Sequence, residues 1–169
     1  IHELPTPALL LDQEVLERNL TRMQERANSF GVTLRPHIKT HKCIEIGNHQ
    51  MELGARGITV STFYEAEKFA EAGFNDITWA FPIPPVYAVR AAELNQKTTL
   101  RLVVDSFEAK GHLDKASRVG GERLHVWLKI DCGYHRAGVD PGTPLAEELV
   151  RALSESKALI FDGILTHSG

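Results

Sequence analysis

The chain has 169 residues, of which 43% are hydrophobic and 24% are charged, and its formal net charge is −3. This composition is typical of a globular protein and gives no sign of the basic surface that nucleic-acid binding requires. No apolar run approaches the ~20 residues of a membrane helix. The two cysteines, Cys43 and Cys132, lack metal-ligand spacing and indicate a reducing compartment, so we expect a cytoplasmic protein.

Short apolar runs recur along the chain and predict strands at residues 8–12, 34–39, 57–61, 76–81, 100–105, 125–131 and 160–167. Helical patterns lie between them. Asp12 is a suitable N-cap for a helix over residues 13–30, and Thr62 with Glu65 forms a capping box that opens a helix over residues 63–72. A further helix is predicted from Pro84 to Asn95. Regular alternation of strand and helix predicts βα units and a parallel sheet.

The strand at residues 125–131 decides between an open sheet and a barrel. Its apolar residues, Val126, Leu128 and Ile130, alternate with His125, Trp127, Lys129 and Asp131. Strands covered by helices on both faces are apolar on both faces. One apolar face and one mixed face indicate helices outside and a site-bearing barrel interior inside, so we predict a TIM-like α/β barrel with parallel strands.

Residues 35–42 carry an unusual number of basic groups for a predicted strand end. Alternation places Arg35, His37, Lys39 and His41 on one face. A lysine that is crowded by such neighbours and partly desolvated has a lowered pKa, and a neutral amine is a nucleophile. A basic strand end that faces water or phosphate explains the same pattern, and these residues alone leave both interpretations open.

Four segments in order, residues 6–12, 36–42, 128–139 and 163–169, resemble the D-serine dehydratase and D-threonine aldolase family. Its members are pyridoxal-phosphate (PLP) enzymes with an alanine-racemase-like N-terminal barrel. The resemblance implies a (β/α)8 barrel of that type. A complete barrel takes ~250 residues, so we expect residues 1–169 to be its N-terminal part, with about six barrel strands. The remaining strands and the family's C-terminal β-domain would then lie outside this chain.

The resemblance also implies a site. Lys39 would form the Schiff base with PLP and take the Cα proton of the substrate. Arg136 matches an arginine near the phenolic oxygen of the cofactor, although a surface arginine fits its position too. His167 matches a histidine that packs on the pyridine ring, although a core histidine is an equal alternative. His37, His41 and His135 are weaker candidates. The divalent metal of the family, zinc or manganese, is held by its C-terminal domain, so we predict no metal ligand here.

Three functions remain open from the sequence. The first is a D-serine dehydratase that forms pyruvate and ammonia, and residues 128–133 favour it. The second is a D-threonine-type aldolase that cleaves the Cα–Cβ bond to give glycine and an aldehyde. The third is a barrel protein that carries PLP without turnover. For the enzymes we expect a small D-amino acid as substrate, no nucleic-acid or membrane partner, and a homodimer.

Overall fold

The computed structural model describes residues 3–168, which form one parallel sheet with helices in the connections. The sheet contains five strands in the order β1-β2-β3-β4-β5. The strands are β1 (Ile58–Val60), β2 (Asp76–Pro82), β3 (Thr99–Val104), β4 (Leu124–Ile130) and β5 (Leu159–Thr166). The helices are α1 (Gln13–Ser29), α2 (Ile44–Glu52), α3 (Phe63–Glu71), α4 (Ala88–Asn95), α5 (Phe107–Gly120) and α6 (Pro144–Ser154).

Local capping fixes where two of these helices begin. The Asp12 side chain accepts a hydrogen bond from the backbone N–H of Val15 at the start of α1. Thr62 and Glu65 form the predicted capping box at the start of α3: the Thr62 side chain accepts from the backbone N–H of Glu65, and the Glu65 side chain accepts from the backbone N–H groups of Ser61 and Thr62. Both predicted caps are confirmed. Because the first N–H groups of a helix have no partner within it, such caps stabilise the helix by about 1 kcal/mol each.

The two faces of the sheet differ as the strand patterns predict. Leu100, Leu102, Val126 and Leu128 are fully buried in the core beneath the helices. The opposite face carries polar and charged side chains, among them Arg101. An α/β sheet of five parallel strands with one apolar face agrees with the predicted incomplete barrel of the alanine racemase type.

Within the part of the chain that the structure describes, two of the predicted strands do not form, and the sheet has five strands where about six were predicted. Residues 8–12 form no regular structure, because none of the described residues pairs with them, and Leu9 is fully exposed. Within residues 34–39 only His37 makes a bridge, to Thr59 of β1. Pro36 has no backbone N–H to donate, which interrupts the ladder there. Within residues 3–168 no helix has the length and apolarity needed to cross a membrane.

Candidate functional site

A cleft of about 390 Å³ lies where the carboxyl ends of the strands meet. Its volume falls within the range of ligand pockets, roughly 300–1,000 Å³. Small polar and apolar groups form part of its wall. The basic side chains that line it are Arg35, His37, Lys39, Lys129, Arg136 and His167. No aspartate or glutamate belongs to the lining within residues 3–168, so the cleft favours an anionic ligand.

Lys39 lies in the 3₁₀ turn Ile38–Thr40, directly after the His37 bridge, and not in a strand as predicted. Its backbone N–H donates to Nδ1 of His37 over 3.4 Å, and the fully buried Ile38 anchors the turn in the core. The Lys39 side chain lines the cleft and is exposed to solvent, whereas the sequence predicted partial desolvation.

The three histidines that the sequence ranked lower have different surroundings. His37 forms part of the cleft wall, where burial first and the charge of Lys39 second lower its pKa. Nδ1 of His41 accepts from the backbone N–H of Cys43, and His41 is not part of the lining. His135 is exposed and pairs with Asp131 at 3.0 Å. Of the three, only His37 reaches the cleft.

Arg136 and His167, which are 31 positions apart in the numbering, line the same cleft as Lys39. The structure therefore brings the three predicted site residues together. The ring of Tyr134 contacts two of these residues, Arg136 and His167. The Arg136 guanidinium lies 4.8 Å from the centroid of the Tyr134 ring, and the centroid of the His167 ring lies 5.7 Å from it. Tyr134 is not a site residue that the sequence predicts, because stacking depends on the conformation of the turn that carries it.

Lys129 also lines the cleft, although the sequence does not predict it as a site residue. It lies on β4 and is only 5% exposed. No carboxylate within residues 3–168 pairs with it, and burial together with the charge of Arg136 lowers its pKa. The sequence feature that could have identified Lys129 is its position on the inward face of an alternating strand, since a buried lysine without a partner is rare.

Replacing Lys129 with methionine is expected to stabilise the fold by roughly 1 kcal/mol at neutral pH, because it removes an unpaired buried charge. Because the pKa of Lys129 is lower in the folded protein, the unfolded chain binds more protons, and the free energy of unfolding of the native protein rises with pH. The stability gained by the methionine substitution should therefore become smaller at alkaline pH. Urea unfolding at pH 7 and at higher pH measures this gain. The exposed Lys115→Met on α5 is the control, and equal effects of the two substitutions would contradict the expectation.

An ion network lies on the same inner face of the sheet. Asp76 of β2 accepts from Arg35 at 2.8 Å and from Arg101 of β3 at 2.9 Å. Arg101 also pairs with Asp162 of β5, which binds Nδ1 of His125 at 3.0 Å. Burial opposes ionisation of Asp76, but the two arginines outweigh it and lower the pKa of its carboxyl group. The network joins strands that are distant in sequence.

Arg35 connects this network to the segment that carries Lys39. Its guanidinium donates to the backbone carbonyl of Asp76 over 3.2 Å in addition to the ion pair with the Asp76 carboxylate. Between Arg35 and Lys39 the strand pairing is limited to the His37 bridge. Arg35 is therefore one attachment of the Lys39 segment, residues 35–42, to the sheet, beside the backbone hydrogen bond from Thr59 to the Pro36 carbonyl over 2.8 Å.

Within residues 3–168 no group of three or more histidine, cysteine, aspartate or glutamate side chains has the arrangement of a metal site. The divalent metal expected from the sequence consequently has no assigned ligand among these residues.

Comparison with known proteins agrees with the fold. Residues 11–169 match the family described as alanine racemase, N-terminal domain. The D-threo-3-hydroxyaspartate dehydratase of Delftia sp. (strain HT23) is 40% identical and is matched over 98% of this chain and 44% of its own length. The D-serine dehydratase of Dictyostelium discoideum is 41% identical over 100% of this chain and 46% of its own.

The crystal structure of D-threonine aldolase from Filomicrobium marinum superposes with a TM-score of 0.90 and 34% identity, over 95% of this chain and 43% of that one. The chain thus spans less than half the length of these relatives. Family match, identity and superposition agree, and the chain belongs to the alanine racemase N-terminal domain family, in the group of D-serine dehydratases and D-threonine aldolases.

Proposed function

We propose that the protein containing this chain is a PLP-dependent lyase that acts on small D-β-hydroxy amino acids. One observation carries the proposal: Lys39 lines a cleft of basic side chains that has no carboxylate within the described residues. The family and its dehydratase and aldolase members support it. Because the chain spans less than half of these relatives, the activity is proposed for the whole protein.

The residues of the cleft fit PLP as a ligand. PLP is a flat, anionic ring with an aldehyde that condenses with a lysine amine, and Lys39 offers such an amine at the cleft surface. Arg136 and His167 would contact the ring, and Lys129 adds a positive charge that no carboxylate within residues 3–168 pairs with. The bound cofactor would supply an electron sink for the pair left when a bond to Cα breaks.

The roles of the side chains follow from their chemistry. Lys39 would hold the cofactor and, once the substrate amine has replaced it, take the proton from Cα. Arg136 would stabilise negative charge next to the ring through its cationic guanidinium. His167 would pack against the ring. A divalent cation that activates the β-hydroxyl remains part of the proposal without an assigned ligand, and so does the homodimer.

Dehydration is the favoured reaction within this class. Residues 128–133 resemble the dehydratases, and the two dehydratases named above are 40% and 41% identical to the chain over the aligned residues. Both reactions use the same cofactor and lysine, so the bond that breaks distinguishes them: Cα–H with loss of the β-hydroxyl, or Cα–Cβ.

The products of D-serine and D-threonine test the proposal. We expect the purified whole protein with PLP and a divalent metal to convert D-serine into equal amounts of pyruvate and ammonia. D-Threonine should give mainly 2-oxobutanoate, and substrate deuterated at Cα should react more slowly where that step limits the rate. Product analysis by chromatography measures all of these.

The alternative outcomes are separate. Glycine and acetaldehyde as the main products of D-threonine would indicate that the protein is an aldolase and not a dehydratase. PLP binding without turnover of D-serine, D-threonine or D-threo-3-hydroxyaspartate would favour the PLP-carrying protein.

A further inference from the structure

Tyr134 lies at the tip of a turn that the structure holds in a defined shape. Oδ1 of Asp131 accepts from the backbone N–H groups of Gly133 and His135, each over 3.0 Å, and Oδ2 contacts Nδ1 of His135 over 3.0 Å. At the far end of the turn the backbone of Val139 pairs with Lys129 and Asp131, both over 2.9 Å. The turn is therefore fixed at both ends, and so is the backbone that presents Tyr134.

The same turn is attached to the end of β5. Sγ of Cys132 donates to the backbone carbonyl of His167 over 3.2 Å. The Tyr134 ring stacks on the His167 ring at 5.7 Å between centroids with an angle of 33° between the planes. Two contacts thus join the turn to His167, one through the backbone and one through the side chain.

Arg136 and His167 have few other restraints. Both side chains are exposed, and neither the guanidinium nor the imidazole makes a hydrogen bond or ion pair with any residue between 3 and 168. The Tyr134 ring contacts both: it stacks on the imidazole and lies 4.8 Å from the Arg136 guanidinium. Cation–π and aromatic contacts favour particular orientations of the groups that make them.

We propose that Tyr134 is a positioning residue that orients the Arg136 guanidinium and the His167 imidazole towards the cofactor ring. The inference rests on the proposed PLP site, because it assigns Tyr134 an effect on two residues of that site. The phenol hydroxyl has no part in it. The aromatic ring carries the effect, so phenylalanine should replace tyrosine and an aliphatic side chain should not.

The test compares Tyr134→Leu with Tyr134→Phe and with Tyr64→Leu in the whole protein. Tyr64 is a matched control, since it is an exposed tyrosine on α3 with the Lys68 ammonium 5.7 Å from its ring and lies outside the cleft. We expect Tyr134→Leu to raise the dissociation constant of PLP about tenfold, the scale of the two lost ring contacts. The other two variants should stay within about twofold of the native protein.

A second readout is independent of cofactor and activity. In the PLP-free protein, the ring current of Tyr134 should change the nuclear magnetic resonance chemical shifts of the His167 ring protons. This change should remain in Tyr134→Phe and disappear in Tyr134→Leu. His167→Gln identifies the signals. Tyr134→Met is the second variant should the leucine variant fold poorly.

The outcomes separate the inference from the proposed function. A native protein that binds no PLP would contradict the proposed function, while the resonance data would still test the contact between Tyr134 and His167. Tyr134→Leu with native PLP affinity would overturn the inference and leave the PLP site standing. A loss of affinity in Tyr134→Phe equal to that in Tyr134→Leu would overturn it as well, since the ring would then not be the cause.

Discussion

Replacing Lys39 with alanine is expected to abolish the visible absorbance of lysine-bound PLP and to lower activity at least about a thousandfold, as loss of a residue that bonds covalently to a cofactor or substrate does. Lys39 is the exposed lysine of the cleft, placed on a turn that the buried Ile38 anchors. Absorbance spectra of the purified protein with PLP, before and after reduction with borohydride, measure the bond, and product formation from D-serine measures the activity.

Two further lysines provide the controls. Lys42 lies three positions away on the same segment, but it pairs with Glu65 at 3.1 Å and does not line the cleft, so Lys42→Ala should keep the absorbance band. Lys129 shares the cleft with Lys39, so Lys129→Met should weaken PLP binding without removing the bond. An absorbance band that persists in Lys39→Ala and disappears in Lys129→Met would mean that Lys129, and not Lys39, forms the bond with the cofactor.

Patterns within one segment allowed accurate predictions. The alternation in residues 125–131 identified the buried face of β4, where Val126 and Leu128 have no exposed surface. The capping box of Thr62 and Glu65 fixed the first residue of α3. These features depend on periodicity and on hydrogen bonds to neighbouring backbone groups, both of which are encoded locally.

Contacts between distant segments could not be predicted in the same way. The register of the parallel strands places Thr78 beside Arg101 and Arg101 beside His125, and this register creates the ion network on the inner face. Alternation predicts which face a side chain occupies, but it does not predict which residue of the next strand lies next to it. The pairing of Arg101 with Asp162 was therefore not predicted.

The position of Lys39 shows a second limit. The basic residues at 35–42 identified the right segment, yet the strand prediction failed because Pro36 cannot complete the ladder and the chain turns at Ile38. Lys129 was missed for the opposite reason. Its strand was predicted correctly, but its burial depends on the turn after β4, where the Lys129 side chain packs so closely on Gly138 that an added Cβ would lie 2.9 Å from its Cγ.

Replacing Asp76 with asparagine is expected to destabilise the protein by about 3 kcal/mol at neutral pH, since removing one partner of a largely buried ion pair leaves the other charges uncompensated. The Asp76 side chain is 15% exposed and binds two arginines, Arg35 and Arg101. Asparagine keeps the shape and removes the charge. Urea unfolding measures the loss, and Glu71→Gln, which removes an exposed pair with Lys68, is the control that should change little.

At acid pH the free energies of unfolding of the native protein and Asp76→Asn should become more similar. Because the two arginines lower the folded pKa of Asp76, its contribution to stability is complete above the unfolded value of about 3.9 and is lost as the pH falls through the folded pKa. The penalty of the asparagine variant should therefore be constant from pH 7 to about 5 and shrink below about 4. A penalty of the same size at pH 3 as at pH 7 would mean that packing, and not the carboxylate charge, is what Asp76 contributes. Arg35 would then help to hold the Lys39 segment through the shape of its contact with Asp76, beside the His37 bridge and the buried Ile38.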